Sequence, residues 1–315
     1  MIKSIVTTSK TLGHVLYRGI APEITAKLVQ ARGRRRQAGV NQTRKYFRLV
    51  FVHKDDVLCH ISTVPAETPQ QLASCKQTAR WSIAALTSIP LPTVWHRFTA
   101  RGTNFRVQDL MEDQVETAVQ LLVKYFMADE PPCKYIGIHK YPTAQANLEK
   151  LWRDTIKDKL SLVCVEDTDK PTNIISVNVL TVASKDDKEE PFKSEDKIWA
   201  KLFGAVDMVS RGVDIFERFG VNQYLTAYGL VVDPAWRGLA IGKEMLLARI
   251  PLCKALGIKV TATVFTAAAS QSVAKKAGFH DVFVMTYAEL ARKGFNFPGI
   301  EENTTCSKLM ALVIE

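Results

Sequence analysis

Long apolar runs are missing from this chain of 315 residues. A bilayer-spanning helix needs about 20 consecutive apolar residues. Nothing here approaches that, so the chain reads as a soluble protein. Paired cysteines are missing too. The six cysteines, Cys59, Cys75, Cys133, Cys164, Cys253 and Cys306, include no CxxC and no zinc-ligand spacing with histidine. Such usage fits reduced thiols in an intracellular, cytoplasmic-type compartment. His139 and His280 stand apart from any cluster of Cys, His or carboxylate, which argues against a metal. Both common glycine-rich nucleotide motifs are absent: G-x-G-x-x-G fails, and no Gly-Lys-Ser/Thr closes a P-loop.

Acids are scarce in the first third. Residues 1–103 hold 16 Lys+Arg and 4 Asp+Glu, against 26 and 28 in the remainder. The formal net charge of +10 therefore belongs to the N-terminal segment. Met1 to Arg36 contains one acid, Glu23, and resembles a mitochondrial presequence in composition. "RGRRR" at Arg32–Arg36 could touch phosphates. The plainer reading is a basic extension, variable or poorly ordered. A nucleic-acid-binding protein is the rival, but it lacks an RRM, zinc or helix-turn-helix signature and interleaved aromatics. Pro90 and Pro92, then Arg101-Gly102-Thr103, read as a linker. The division expected is an unassigned extension over 1–103 and a folded domain over 104–315.

From Asn104 the pattern sharpens. "NFRV" reads as a strand, and Val115, Val119, Leu122 and Phe126 recur at helical spacing, with an end expected near Met127. Leu148, Leu151 and Trp152 mark a second helix. Leu160–Glu166 and Asn173–Ala183 read as strands, the latter with Ile175, Val177 and Val179 alternating with Ser176 and Asn178. "SKDDKEEPFKSEDK" is a solvated charged loop. Helical residues follow through Phe219. Then come a strand (Tyr224–Val232), a helix (Ala240–Leu256), a strand (Lys259–Phe265), a helix (Ser270–Ala277) and closing strands near Val282–Thr286 and Leu309–Ile314. Such alternation predicts one mixed α/β unit. Pro251 should kink or loosen the helix it interrupts. Cys164 and Cys253 are placed like buried core.

The informative stretch is "VVDPAWRGLAIGKEM", Val231 to Met245. A strand stops at Asp-Pro, and a glycine-rich turn opens a helix. The first amides of a helix lack intrahelical partners, and its dipole favours an anion there. Gly238, Ala240 and Gly242 keep Cβ bulk low, so a pyrophosphate can reach the main chain. Arg237 adds a fork of donors. Together Arg237, Gly238, Leu239, Ala240, Ile241 and Gly242 form the candidate cofactor loop.

The order Arg-x-x-Gly/Ala-x-Gly after an Asp-Pro turn resembles motif A of the GCN5-related N-acetyltransferases (GNAT). Four longer segments resemble the insect branch of that superfamily, the arylalkylamine N-acetyltransferases. They are "DIFERFGVNQYLTAYGLVVDPAWRGLAIG", "DEPP" at Asp129–Pro132, "SQSVAKKAGF" at Ser270–Phe279 and "FPGI" at Phe297–Ile300. The resemblance runs from about Asn104 to the C-terminus. It implies the GNAT fold, a central mixed, mostly antiparallel sheet flanked by helices. It also implies acetyl-CoA as co-substrate, no metal, and a small-molecule amine as acceptor.

By the same resemblance the pyrophosphate of acetyl-CoA lies on the loop. The pantetheine arm pairs with the backbone of Leu230, Val231 and Val232, where an N–H near Val231 would stabilise the thioester oxyanion. Glu130 would deprotonate the amine, often through water. Ser270 and Thr266 would bind or protonate the leaving thiolate, and Ala269 shows that the tyrosine of other branches is absent. Ala240 and Thr266 stand where the family usually has glycine and serine. Ser270 is also placed to N-cap the helix that ends at Gly278. Trp152, Phe203, Phe216 and Tyr224 are core candidates first and pocket candidates second. No cysteine sits in a nucleophile setting, so the expected route is direct attack in a ternary complex. The expected acceptor is an arylalkylamine of the dopamine, serotonin or tryptamine type. The alternatives are polyamines or other aliphatic amines, and a degenerate CoA-binding relative.

Overall fold

The computed structural model describes residues 92–171, 173–187 and 191–315, and earlier in the chain only the backbone of four short strands. Those strands, Ile24–Arg32, Lys45–His53, Leu58–His60 and Val64–Pro65, form an antiparallel sheet in which Lys45–His53 pairs with each of the others. The targeting and extension readings of Met1–Arg36 otherwise fall outside the described residues.

The second unit is built on an eight-stranded sheet. Its strands are β1 (Val94–Ala100), β2 (Thr103–Asp109), β3 (Leu162–Glu166), β4 (Ser176–Ser184), β5 (Gln223–Val232), β6 (Val260–Phe265), β7 (His280–Thr286) and β8 (Cys306–Val313). Their order is β7-β8-β6-β5-β4-β3-β2-β1. All neighbours are antiparallel except β5 and β6, which run parallel and pair at Thr261↔Leu225. Beyond that pair the two strands part, and the site lies in the gap.

The sheet begins at β1, ahead of the expected start at 104. Arg101-Gly102 is the two-residue turn of a β1–β2 hairpin, not part of a linker. Both residues have positive φ, +46° and +80°, the geometry that matches the twist of a tight hairpin. Trp95 Nε1 donates to Asp109 Oδ1 at 2.6 Å, and Phe98 stacks on Phe105 at 5.1 Å, so β1 is tied to the sheet by side chains as well.

Helices cover both faces. On one lie α1 (Val115–Leu121, continuing through a π-turn over Leu122–Phe126 into Met127–Asp129), α2 (Pro131–Ile136), α3 (Pro142–Ile156) and α4 (Lys197–Ser210). Leu122, Trp152 and Leu202 from these helices pack on Val177 and Val179. The short α5 (Ile215–Phe219) leads into β5. On the other face α6 (Ile241–Leu247), α7 (Arg249–Leu256) and α8 (Ala268–Lys276) cover the sheet, and Met245 and Leu252 pack with Ile175, Leu180 and Leu225. The last helix is α9 (Tyr287–Arg292).

Two sequence expectations take a sharper form. The Ser176/Asn178 alternation does not mark a wet face: both residues are fully buried beneath helices. Their polar groups are satisfied by β5, Ser176 Oγ donating to Val231 O at 2.6 Å and Asn178 Nδ2 to Gly229 O at 2.8 Å. The helix over 240–256 is split at Ala248, three residues before Pro251, which has no N–H to give Leu247.

Candidate active site

Asp233 ends β5 and caps the turn Pro234–Trp236, its Oδ1 accepting from Ala235 N at 2.8 Å. The chain then turns back through two left-handed residues, Gly238 at φ +81° and Ala240 at φ +60°. A left-handed conformation costs an L-residue about 1–2 kcal/mol, so Ala240 sits where glycine would rest more easily. A Cβ on Gly238 would meet nothing nearer than Arg101 Nη2, at 3.9 Å. The space over Gly238 is open, and its backbone admits no side chain without strain. A Cβ on Gly242 would instead meet Val273, Leu230 and Val232 at ordinary contact distance. No side chain caps the first amides of α6. A phosphorylated group fits this cradle.

Arg237 does more than flank the loop. Its Nη2 meets Asp129 Oδ2 at 2.6 Å and its Nε donates to Val232 O at 3.2 Å. The guanidinium thus joins the loop to the end of α1 at the rim of the cavity.

That cavity has a volume of about 800 Å³ and runs along the gap between β5 and β6. Gly229 and Val231 turn their carbonyls toward β4, where Asn178 and Ser176 hold them. In a strand, a residue's N–H and C=O point the same way and neighbours point oppositely. Leu230 and Val232 therefore direct their main-chain groups into the gap, and Val231 does not. Of the N–H groups near Val231, those of Leu230 and Val232 are the ones that face the gap.

Glu130, next in the chain to Asp129, also lines the cavity. The π-turn in α1 brings Glu130 to the N-cap of α2, where its Oε2 accepts from Cys133 N at 2.8 Å. Such turns are frequent at functional sites. Burial raises the carboxyl above its ordinary range, and hydrogen bonds from Thr266 and Cys133 offset only part of that. Thr266 lies just past the end of β6, and its carbonyl accepts from Tyr287 Oη at 2.7 Å. Glu130, distant in sequence from Thr266 and Ser270, lines the same cavity as they do.

Ser270 is not an N-cap. Helix α8 starts at Ala268 with Ala267 as its cap, and Ser270 Oγ donates back to Ala267 O at 2.9 Å. Of the four aromatic candidates only Phe203 reaches the cavity. Trp152 is fully buried behind it, donating from Nε1 to Tyr228 O at 2.8 Å, and Phe216 packs tilted against Tyr224 at 5.1 Å elsewhere. The aromatic wall is Trp199, Phe203 and Tyr228, with Phe203 5.2 Å from Trp199 and 5.9 Å from Tyr228. The helical spacing of Trp199 and Phe203 was readable in sequence, but which face met the gap was not. Tyr287 and the buried Arg249 carried no local signal. Burial pulls the Arg249 guanidinium down to about 10, which still leaves it charged at neutral pH.

No family profile matches the chain. Among solved structures, arylalkylamine N-acetyltransferase 7 of the yellow fever mosquito Aedes aegypti is 41% identical, over 72% of this chain and 97% of the mosquito protein, with a TM-score of 0.67. The chain belongs to the insect arylalkylamine N-acetyltransferases. It is an acyltransferase of the GNAT fold. Arylalkylamine N-acetyltransferase 2 of Aedes aegypti (21% identity, 67% of this chain and 99% of that one, TM-score 0.57) shares the fold. So does a polyamine N-acetyltransferase of Drosophila melanogaster (15% identity, 67% and 100% covered, TM-score 0.54). Among the described residues of this arylalkylamine N-acetyltransferase family member, no helix is long and apolar enough to cross a membrane, and no group of three metal-ligating side chains converges.

Proposed function

We propose that the protein moves the acetyl group of acetyl-CoA to the primary amine of an arylalkylamine of the dopamine, serotonin or tryptamine type, by direct attack in a ternary complex. The observation that carries this reading is the lining of the cavity: an aromatic wall of Trp199, Phe203 and Tyr228 in the same cavity as one partly buried carboxylate, Glu130.

The residues divide the work along the gap. The loop Arg237–Gly242 holds the pyrophosphate on its open main chain, and β5 pairs with the pantetheine arm through Leu230 and Val232. Acetyl-CoA supplies the activated acyl carbon. Glu130 first attracts the ammonium form of the amine and then takes its proton, directly or through water, freeing the lone pair. A carboxyl raised by burial suits a base that must also pass the proton on. The N–H of Leu230 donates to the carbonyl oxygen as charge builds there. Ser270, with Thr266 beside it, assists departure of the thiolate. Cys133 also lines the cavity, but burial holds its thiol well above the ordinary range, which disfavours a thiolate nucleophile and an acetyl-cysteine intermediate.

The same wall weighs against a polyamine. A second ammonium needs a second carboxylate, and the only other one lining the cavity among the described residues is Asp129, already paired with Arg237. Turnover of acetyl-CoA with tryptamine, dopamine, spermidine and agmatine tests the reading. Aromatic amines should lead by about tenfold or more in kcat/KM, since discrimination follows from unpaired buried charge. Equal or greater turnover of the aliphatic amines would overturn the choice of acceptor.

A further inference from the structure

Arg249 opens α7 and is 1% exposed. Among the described residues no carboxylate forms an ion pair with it; the nearest ionisable influence is the Cys253 thiol. A buried, unpaired cation disfavours folding, and an apolar side chain of similar volume would pack there at lower cost. The guanidinium also lies over the Phe279 ring, 5.9 Å from its centroid and so at the limit of a cation–π contact, which leaves stability a weak reason for an arginine at this position.

Its hydrogen bonds suggest a different reason. Nε donates to Asn178 Oδ1 at 3.0 Å, and Nη1 donates to Thr263 Oγ1 at 2.9 Å and Thr261 Oγ1 at 3.4 Å. Asn178 is on β4 and the threonines are on β6, so the guanidinium spans the two neighbours of β5. It does so where β5 and β6 part, and Arg249 and Thr263 both line the cavity. The Asn178 amide has one acceptor end and one donor end. Because Arg249 takes the acceptor, the donor Nδ2 is committed to Gly229 O, at 2.8 Å. Gly229 follows a bulge, the register shifting between Val179↔Gly229 and Leu180↔Ala227. Bulges re-aim the strand next to active sites, and this one needs an external hold to fix its peptide plane. Trp152 blocks the other side, with Nε1 3.3 Å from where a Gly229 Cβ would stand.

We infer that Arg249 is a positioning residue of the acyl-donor cleft: through Asn178 it fixes the Gly229–Leu230 peptide so that the Leu230 N–H points into the gap, and through Thr261 and Thr263 it holds β6 at its distance from β5. This rests on the proposed acetyl-CoA site. Arg249 itself touches no reacting atom. It sets the direction of the group that does, and its rigid planar fork meets three acceptors on two strands, which a lysine ammonium cannot match.

The test uses the full chain with three changes: Arg249→Met, Arg249→Lys and Asn178→Asp. The last keeps an acceptor for Arg249 but removes the donor to Gly229. Melting curves first establish which variants are folded at assay temperature; if Arg249→Met is not, the other two carry the test. Expected is a fall in kcat of about 10- to 100-fold, the lower part of the range for weakening an oxyanion donor. CoA affinity by calorimetry should stay within about threefold. Infrared spectroscopy of a bound ketone analogue of acetyl-CoA gives the second readout. Its carbonyl stretch should be lowered by wild type and return toward the solution value in the variants. Folded variants with kcat within about twofold of wild type and an unchanged carbonyl stretch would overturn the inference. Wild type that fails to bind CoA would instead overturn the proposed function on which it stands.

Discussion

In the proposed site the donor end is main chain: the amides of the Arg237–Gly242 turn and the free edge of β5. The proposed acceptor end is side chains: Glu130, Thr266 and the rings of Trp199, Phe203 and Tyr228. Main-chain sites need small residues and unusual dihedrals, as Gly238 and Ala240 have. Side-chain sites need burial and distant partners, as Glu130 gets from Cys133 and Thr266. The two ends should therefore fail in different ways. A change at the donor end should cost binding, and a change at the acceptor end should cost the chemical step.

Glu130→Gln breaks the comparison hardest if the reading is right. It keeps the shape and the acceptor for Cys133 N, yet removes the base. The expected loss in kcat is about 100- to 10,000-fold, with acetyl-CoA affinity by calorimetry unmoved. Two pH signatures go with it. Wild-type kcat/KM should fall on acidification through a pKa above the ordinary 4.5, because burial raises this carboxyl. The stability effect has the opposite sense. A carboxyl raised on folding favours the folded state below its unfolded pKa, and that contribution is lost as pH rises through the folded value. At pH 7 the charged form opposes folding, so Glu130→Gln should melt no lower than wild type. A large loss of stability with undiminished kcat would make Glu130 a structural cap only.

Gly238→Val is the matching break at the donor end. A β-branched residue at φ +81° is strained, and its side chain fills the open space over the turn. The loss should be about tenfold to a hundredfold in CoA affinity, from roughly 1–3 kcal/mol of strain. The melting-temperature rise that acetyl-CoA gives wild type should disappear. Intact CoA binding would move the pyrophosphate off this loop.

The contrast between the two ends also accounts for what could be read from the chain. The donor end was legible because its residues are contiguous: Asp-Pro, Arg237, Gly238 and Gly242 lie within one strand–turn–helix, and local rules suffice. The acceptor end was legible only where a resemblance supplied Glu130, Thr266 and Ser270. Trp199 and Tyr228 went unread because ring orientation is decided by packing across the sheet. Trp152 and Tyr224 were equally good candidates by composition and proved to be core and core margin, outside the cavity lining. The β1 strand was missed because its tie to the sheet, Trp95 to Asp109, is a tertiary bond, and Arg101 hides the turn by occupying a conformation usually left to glycine or asparagine. The Ser270 cap was misplaced because three alanines precede it and no polar residue marks the true start of α8.

Phe203→Ala sharpens the acceptor end. Phe203 packs tilted against both Trp199 and Tyr228, and an aromatic contact is worth about 0.5–1.5 kcal/mol beyond its area. KM for an aromatic amine should rise about threefold to tenfold while KM for acetyl-CoA holds. An aliphatic amine should lose less, so the ratio of the two kcat/KM values is the decisive readout. Equal losses would place the amine elsewhere along the cavity.

Ser270→Ala carries the smallest expected effect and is cleanly readable because Ser270 is not a cap. Its Oγ donates to Ala267 O, a back bond within the first turn of α8, and accepts no helix amide. Such bonds add little to a helix and can weaken it, so removing the hydroxyl should change stability by less than about 0.5 kcal/mol. The donor role is also undemanding. A thiol ionises near pH 8.5, so the thiolate leaves tolerably well near neutrality without full protonation. Losing Ser270 as its hydrogen-bond partner should lower kcat by about twofold to fivefold, far less than losing a general base. Thr266 is also at hand beside the same cavity, so Thr266→Val combined with Ser270→Ala should cost more than the sum of the single effects if the two hydroxyls substitute for each other. Strict additivity would mean that the two hydroxyls act independently, and a silent single variant would assign thiolate assistance to the other residue alone. An unchanged kcat in the double variant, in a protein that melts as wild type does, would leave departure of the thiolate to solvent and confine both residues to shaping the cavity wall.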